Sequence, residues 1–241
     1  MATLSSRGAA VAVTVDVYDT LVRYDGAATF FEELLAPQLG RAQSAAFRRR
    51  DDEGLVAAFR HLASLDFGVT PFFTIKDLYR RVFESLCPDF GVELCAGEAA
   101  AALAEVVGRM PLFPETREFL GRLRRRYPHC IVSDIDDDIL RTVFAHHGLT
   151  FEYVVTSESA RCYKCSLGSD LFQRASAELG VPVGRLVHTG DWLPDVVGAQ
   201  AAGAKAIRVR RNGSAFDDGG PAPDAECADL LAALDLVETL L

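Results

Sequence analysis

The sequence predicts an α/β protein, a doubly wound parallel sheet into which a helical cap domain is inserted. Short, nearly continuous apolar runs at residues 11–15, 130–132, 153–155, 186–187 and 206–209 have the length and composition of buried strands. Each of the last four follows a helix-like segment, the alternation that right-handed crossovers turn into a parallel sheet covered on both faces. One long gap breaks the alternation, between Asp25 and about Leu112, and there helix follows helix. The expected division is a core of residues 1–25 and 110–241 and a cap of residues 26–109.

Taken in order, the run at 11–15 is too short for the apolar centre of a signal peptide and suits a first, buried strand. In the gap, Phe30, Phe31, Leu34 and Leu35, then Leu55, Phe59 and Leu62, then residues 72–86 and 99–107 carry apolar side chains at spacings of three and four. The charged run Arg48, Arg49, Arg50, Asp51, Asp52, Glu53 falls on the other face and reads as solvated. Arg122, Arg124, Arg125 and Arg126 close the next helix, where cations complement its dipole. The segment from Gly198 to Gly203 lies within a helix and lacks the glycine spacing of a dinucleotide loop.

Composition narrows the classes. Hydrophobic residues make up 49% of the 241 and charged residues 24%, a globular balance. No apolar stretch approaches the roughly 20 residues of a membrane helix, and a cytoplasmic protein is expected. A net charge of −9 disfavours nucleic acid and anionic membrane as partners, leaving a small molecule, with a monomer or homodimer both open. Six cysteines lack a framework spacing, and the lone pair Cys162 and Cys165 has no second ligand pair, so free thiols are expected.

Ligands of an open parallel sheet bind at the carboxyl ends of its strands. The first strand delivers Asp16-Val17-Tyr18-Asp19-Thr20, the second Ser133-Asp134, and Tyr163-Lys164 follows the third. The fourth delivers His188-Thr189-Gly190-Asp191-Trp192-Leu193-Pro194-Asp195. An acid, a hydroxyl, an ammonium and an acid pair thus converge on one edge, as phosphoryl transfer requires. Asp16 can attack as a nucleophile, and Mg²⁺ takes carboxylate and water oxygens that Asp16, Asp191 and Asp195 can supply. Lys164 adds a point charge and Ser133 a hydrogen bond.

These four segments resemble the motifs of the haloacid dehalogenase-like superfamily. Asp16 to Thr20 is similar to its first motif, Ile131-Val132-Ser133 to its second, Lys164 to its third, and Gly190-Asp191 with Asp195 to its fourth. The resemblance spans essentially the whole chain, and the helical block falls where the family's first type of cap is inserted. It implies a Rossmann-like core with Asp16 as nucleophile. It further implies that the Tyr18 backbone carbonyl, Asp191 and Asp195 join Asp16 around Mg²⁺, and that Thr20, Ser133 and Lys164 secure a phosphate. Tyr18, Asp134 and Trp192 are expected to meet substrate.

One position departs. Family phosphatases carry an Asp general acid two residues after the nucleophile, where this chain has Tyr18, the residue known from the family's dehalogenases. Those enzymes need no metal, whereas the acid pair Asp191 and Asp195 is intact here. Burying like charges without a cation is costly, while losing a general acid costs a factor of about 10² to 10⁴. The expectation is therefore a Mg²⁺-dependent phosphatase acting on a small phosphate ester through an aspartyl-phosphate. A metal-free 2-haloacid dehalogenase is the first alternative, and an idle, binding-only member the second. Asp19, Asp134 and Asp136 are candidate replacement acids, though turn formation and helix-dipole pairing suit Asp19 and the run Asp134, Asp136, Asp137, Asp138 better. Trp192 is expected to line the pocket entrance or pack on the cap, and His188 to pack in the core.

Overall fold

The computed structural model describes residues 11–24, 30, 36–93, 95–211 and 220–241. Six parallel strands form one sheet in the order β3-β2-β1-β4-β5-β6. They are β1 (Ala12–Val15), β2 (His129–Ser133), β3 (Val154–Thr156), β4 (Leu186–Gly190), β5 (Lys205–Val209) and β6 (Ala225–Cys227). β1 lies between β2 and β4, so the crossovers leave it in opposite directions and open a crevice at its carboxyl end.

Side chains alternate across the strands as the pleat requires. Val13, Val15, Ile131, Val187, Ile207 and Val209 enter one apolar cluster, and Ala12, Cys130, Val132, Leu186 and Ala206 enter another. Both faces are covered, which is why β1 shows no polar alternation. Burying each large aliphatic side chain stabilises the fold by about 1.5–3 kcal/mol.

Between β1 and β2 the chain runs through α1 (Ala36–Leu62), α2 (Ile75–Phe90), α3 (Ala96–Val107) and α4 (Thr116–Arg126). The first expected helical piece, at Phe30 to Leu35, lies outside the described residues apart from Phe30. α2 starts at Thr74, whose hydroxyl oxygen accepts from the Asp77 backbone N–H while the Asp77 carboxylate accepts from that of Thr74. Its Phe83 joins Phe47 of α1 and Leu103 of α3 in the same cluster as the sheet residues Val13 and Val15. The remaining helices are α5 (Asp137–His147), α6 (Ser157–Ala160), α7 (Leu171–Leu179), α8 (Leu193–Ala202) and α9 (Leu230–Leu236).

Asp136 ties the helical block to the sheet. Its Oδ1 accepts from the Ile75 N–H at 2.7 Å and its Oδ2 from the Lys76 N–H at 3.0 Å, satisfying the first turn of α2. Asp136 is therefore spent as a helix cap and is corrected as a candidate acid. Lys76 adds an ion pair to Asp138 at 2.5 Å. Strand β6 is a second difference from the sequence reading: three residues at the sheet edge, Ala-Glu-Cys, leave no apolar run to find. Among the described residues no helix is long and apolar enough to cross a membrane.

Candidate active site

The loop after β1 turns back at once, with the Leu21 and Val22 N–H groups both donating to the Val17 carbonyl. Asp19 adopts a left-handed φ of 51°, tolerable for Asp, and its Oδ1 accepts from the Tyr24 N–H at 2.7 Å. Its side chain thus shapes the turn, as the sequence reading favoured.

Asp16 stands at the end of β1, anchored through its N–H to the Thr189 carbonyl. Lys164 Nζ lies 2.7 Å from Asp16 Oδ1 and also bonds Asp195 Oδ1. His188 Nε2 reaches the same Asp195 oxygen at 2.9 Å, and its Nδ1 meets the Thr14 hydroxyl at 2.9 Å. The second Asp195 oxygen accepts the Trp192 N–H. Asp134 Oδ1 accepts from the Lys164 backbone N–H, while its Oδ2 is buried without a hydrogen-bond partner. One oxygen from each of Asp16, Asp191 and Asp195 falls within 4.8 Å of the others.

Two glycines permit this packing. A Cβ on Gly190 would stand 2.3 Å from Asp195 Cγ, and one on Gly198 would stand 2.5 Å from the Lys164 carbonyl oxygen. Any larger residue at 190 displaces Asp195, and at 198 it pushes α8 off the Lys164 backbone. These glycines of the fourth motif serve close approach, not a nucleotide.

Burial governs the charges. Asp16, Lys164 and Asp195 are only 5%, 3% and 4% exposed. Burial pushes the Asp16 carboxyl above the usual range, against the pull of the Lys164 ammonium. Burial, then the nearby Asp195, Asp19 and Asp16, push Asp191 well above it. Burial also opposes ionisation of Asp195, but Lys164 and His188 outweigh it and hold that carboxyl well below the ordinary value. Lys164 is likewise desolvated, yet Asp16, Asp195 and Asp134 around it keep it charged. Asp134 is pushed up to about 7, chiefly by burial. The arrangement holds one carboxylate oxygen beside a fixed cation at the floor of a cavity, which suits nucleophilic attack on an electrophile.

That cavity, of about 630 Å³, lies between the sheet edge and the helical block. Asp16, Tyr18, Ser133, Asp134, Lys164, Asp191, Trp192 and Asp195 all line it, so the expected site residues come together. Thr20 does not line it; buried behind, its hydroxyl donates to Asp191 Oδ1 at 3.4 Å. Tyr18 presents its ring, but its hydroxyl donates to the Val107 carbonyl at 3.2 Å, at the end of α3. Trp192 does both things expected of it, lining the cavity and packing on Phe59 of α1 with ring centres 5.0 Å apart.

Two residues make contacts beyond those expected. His188 is in the core, against Phe172, as expected, and also bonds Asp195; the β1–β4 register sets Thr14 opposite it for a second bond. Arg48, read as solvated, lines the cavity with Asp52, Leu55, Val56 and Phe59, a helical stripe along α1 that turns inward.

The model of the haloacid dehalogenase-like hydrolases matches residues 11–203. The chain belongs to that family. This hydrolase is 24% identical to an (S)-2-haloacid dehalogenase of Pseudomonas sp. (strain YL) over 230 residues, 94% of each chain. It is 31% identical to haloacetate dehalogenase H-2 of Moraxella sp. (strain B), over 54% of this chain and 58% of the relative. The L-2-haloacid dehalogenase structure from Xanthobacter autotrophicus shares the fold, with a TM-score of 0.73 at 20% identity, covering 96% of this hydrolase and all of that chain. The expectation of a Mg²⁺-dependent phosphatase is thereby corrected, because the named relatives are dehalogenases. Lys164 bridges Asp16 and Asp195, so a protein cation already stands between those two buried carboxylates.

Proposed function

We propose that this hydrolase is a 2-haloacid dehalogenase. The Asp16 carboxylate attacks C2 of the acid in line with the carbon–halogen bond, whose electron pair leaves with the halide, and an Asp16 ester forms. Water then adds to the ester carbonyl of Asp16 and the 2-hydroxy acid departs, so that one proton and one halide are released per turnover. In-line displacement inverts C2, so an (S)-2-haloacid gives the (R)-2-hydroxy acid.

The observation that carries this reading is Tyr18. A phosphate ester leaves as an alkoxide and needs a proton; a halide leaves as a stable anion and needs none. Here the residue at the acid position has its hydroxyl committed to the Val107 carbonyl, and burial pushes its phenol well above its ordinary range. Lys164 supplies positive charge beside Asp16, and Asp195, held ionised by Lys164 and His188, fixes that ammonium in place. Arg48 brings a guanidinium to the cavity for the substrate carboxylate.

Magnesium fits this donor set poorly. Lys164 already holds an oxygen of Asp16 and one of Asp195, and His188 and the Trp192 N–H also donate to Asp195. An ion entering there would meet the Lys164 ammonium beside two of its three carboxylates, a repulsion that the waters Mg²⁺ keeps do not offset. The proposed reaction accordingly runs without a divalent ion. Halide release from (S)-2-chloropropionate, undiminished by EDTA and absent in Asp16→Asn, is the expected result. Hydrolysis of p-nitrophenyl phosphate that needs Mg²⁺, with no halide released from any haloacid, would refute it.

A further inference from the structure

We propose that the preferred substrates are 2-haloacids with a bulky apolar group on C2, a chain of several carbons or an aryl ring, rather than haloacetate; this rests on the dehalogenase reading above. The argument is one of size and lining. Haloacetate has two carbons, two oxygens and one halogen, the space of about four waters, on the order of 100 Å³ at about 30 Å³ per water. The cavity measures about 630 Å³, including a mouth open to solvent. A small acid on Asp16 would leave most of it to water.

The wall of that extra space is not made for water. Leu55, Val56 and Phe59 of α1 line it, with Ile75 at the start of α2 and Trp192 and Pro194 beside the acid pair. The wall begins next to the reacting group: Phe59 packs on Trp192, whose N–H bonds Asp195, and on Tyr163, which precedes Lys164. Charge lines the other walls, at Asp16, Asp134, Lys164, Asp191 and Asp195 on the floor, at Asp19, Arg23 and Arg211 beside it, and at Arg48 and Asp52 a turn or two back along α1. A substrate matched to this surface has a compact charged end, its C2 against Asp16 with the halogen on the far side, and an apolar tail. Tail contacts made equally in the ground and transition states lower KM and so raise kcat/KM.

The test is a homologous series of (S)-2-chloro acids, from propionate through butyrate to hexanoate, with 2-chloro-3-phenylpropionate and achiral chloroacetate, read as kcat/KM for chloride release. The expected result is a rise of about fourfold per methylene up to the hexanoate. Leu55→Trp and Val56→Phe, built to shorten the cavity, should each lower the hexanoate-to-propionate ratio of kcat/KM by more than tenfold. A series that peaks at chloroacetate or 2-chloropropionate and then falls overturns the substrate assignment while leaving the dehalogenase reading standing. Chloride from none of the acids overturns both.

Discussion

The Lys164 ammonium lies 2.7 Å from Asp16 Oδ1 and is shared with Asp195, so one buried cation serves two buried carboxylates. Removing one partner of such a group strands the others, at a cost of about 3–5 kcal/mol. Lys164→Met should therefore lower stability by about that much in urea unfolding, and lower kcat for halide release by at least about 10². A variant that keeps half its activity would show that the charge beside Asp16 is dispensable.

Asp16 itself is tested by where oxygen goes. In a single turnover in oxygen-18 water, with enzyme in excess, the proposed ester leads to label in the Asp16 carboxyl and unlabelled oxygen in the 2-hydroxy acid. Peptide mass spectrometry of residues around Asp16 reads the first and product mass the second. Label found directly in the product would mean that water, not Asp16, attacks C2.

Much of this site was open to sequence reasoning, and its limits have physical causes. Asp16, Ser133, Asp134, Lys164, Asp191 and Asp195 follow strands whose apolar runs are continuous because both sheet faces are covered. What a linear pattern does not carry is register and facing. The Thr14–His188 bond exists because β1 and β4 pair with those two residues opposite, and the turn from β4 into α8 brings Asp195 onto the other ring nitrogen. The stripe from Arg48 to Phe59 is periodic in the sequence, yet which face of α1 meets the sheet edge is settled by packing. Asp136 was legible as a helix-favouring acid, but the helix it caps, α2, begins some sixty residues earlier in the chain. The Tyr18 hydroxyl finds its acceptor 89 residues away, a pairing that no motif encodes.

That last contact gives a direct prediction. If the Tyr18 hydroxyl only ties the loop after β1 to the end of α3, Tyr18→Phe leaves kcat for halide release within about threefold. Stability should fall by about 1 kcal/mol, because the Val107 carbonyl loses its donor. A hundredfold loss of kcat with unchanged unfolding would instead make the hydroxyl a participant in the chemistry.

Asp51, on α1 and only 8% exposed, gives the helical block a pH-dependent contribution to stability. Its carboxyl is pushed from 3.8 up to about 7, first by burial and then by Asp52, against a smaller pull from Arg48. Between those two values the native state holds the proton more tightly than the unfolded chain, so raising pH through this window lowers stability. Below about pH 4 both states are protonated and the penalty is absent; above about pH 7 it is complete. Asn keeps the shape of the neutral acid without the charge. Asp51→Asn should thus match the parent near pH 4, gain through the window at up to about 1.4 kcal/mol per unit, and stand on the order of 2–4 kcal/mol more stable at pH 8. Urea unfolding at pH 4.5, 6 and 8 measures it, and an equal gain at all three would place the effect in packing instead of ionisation.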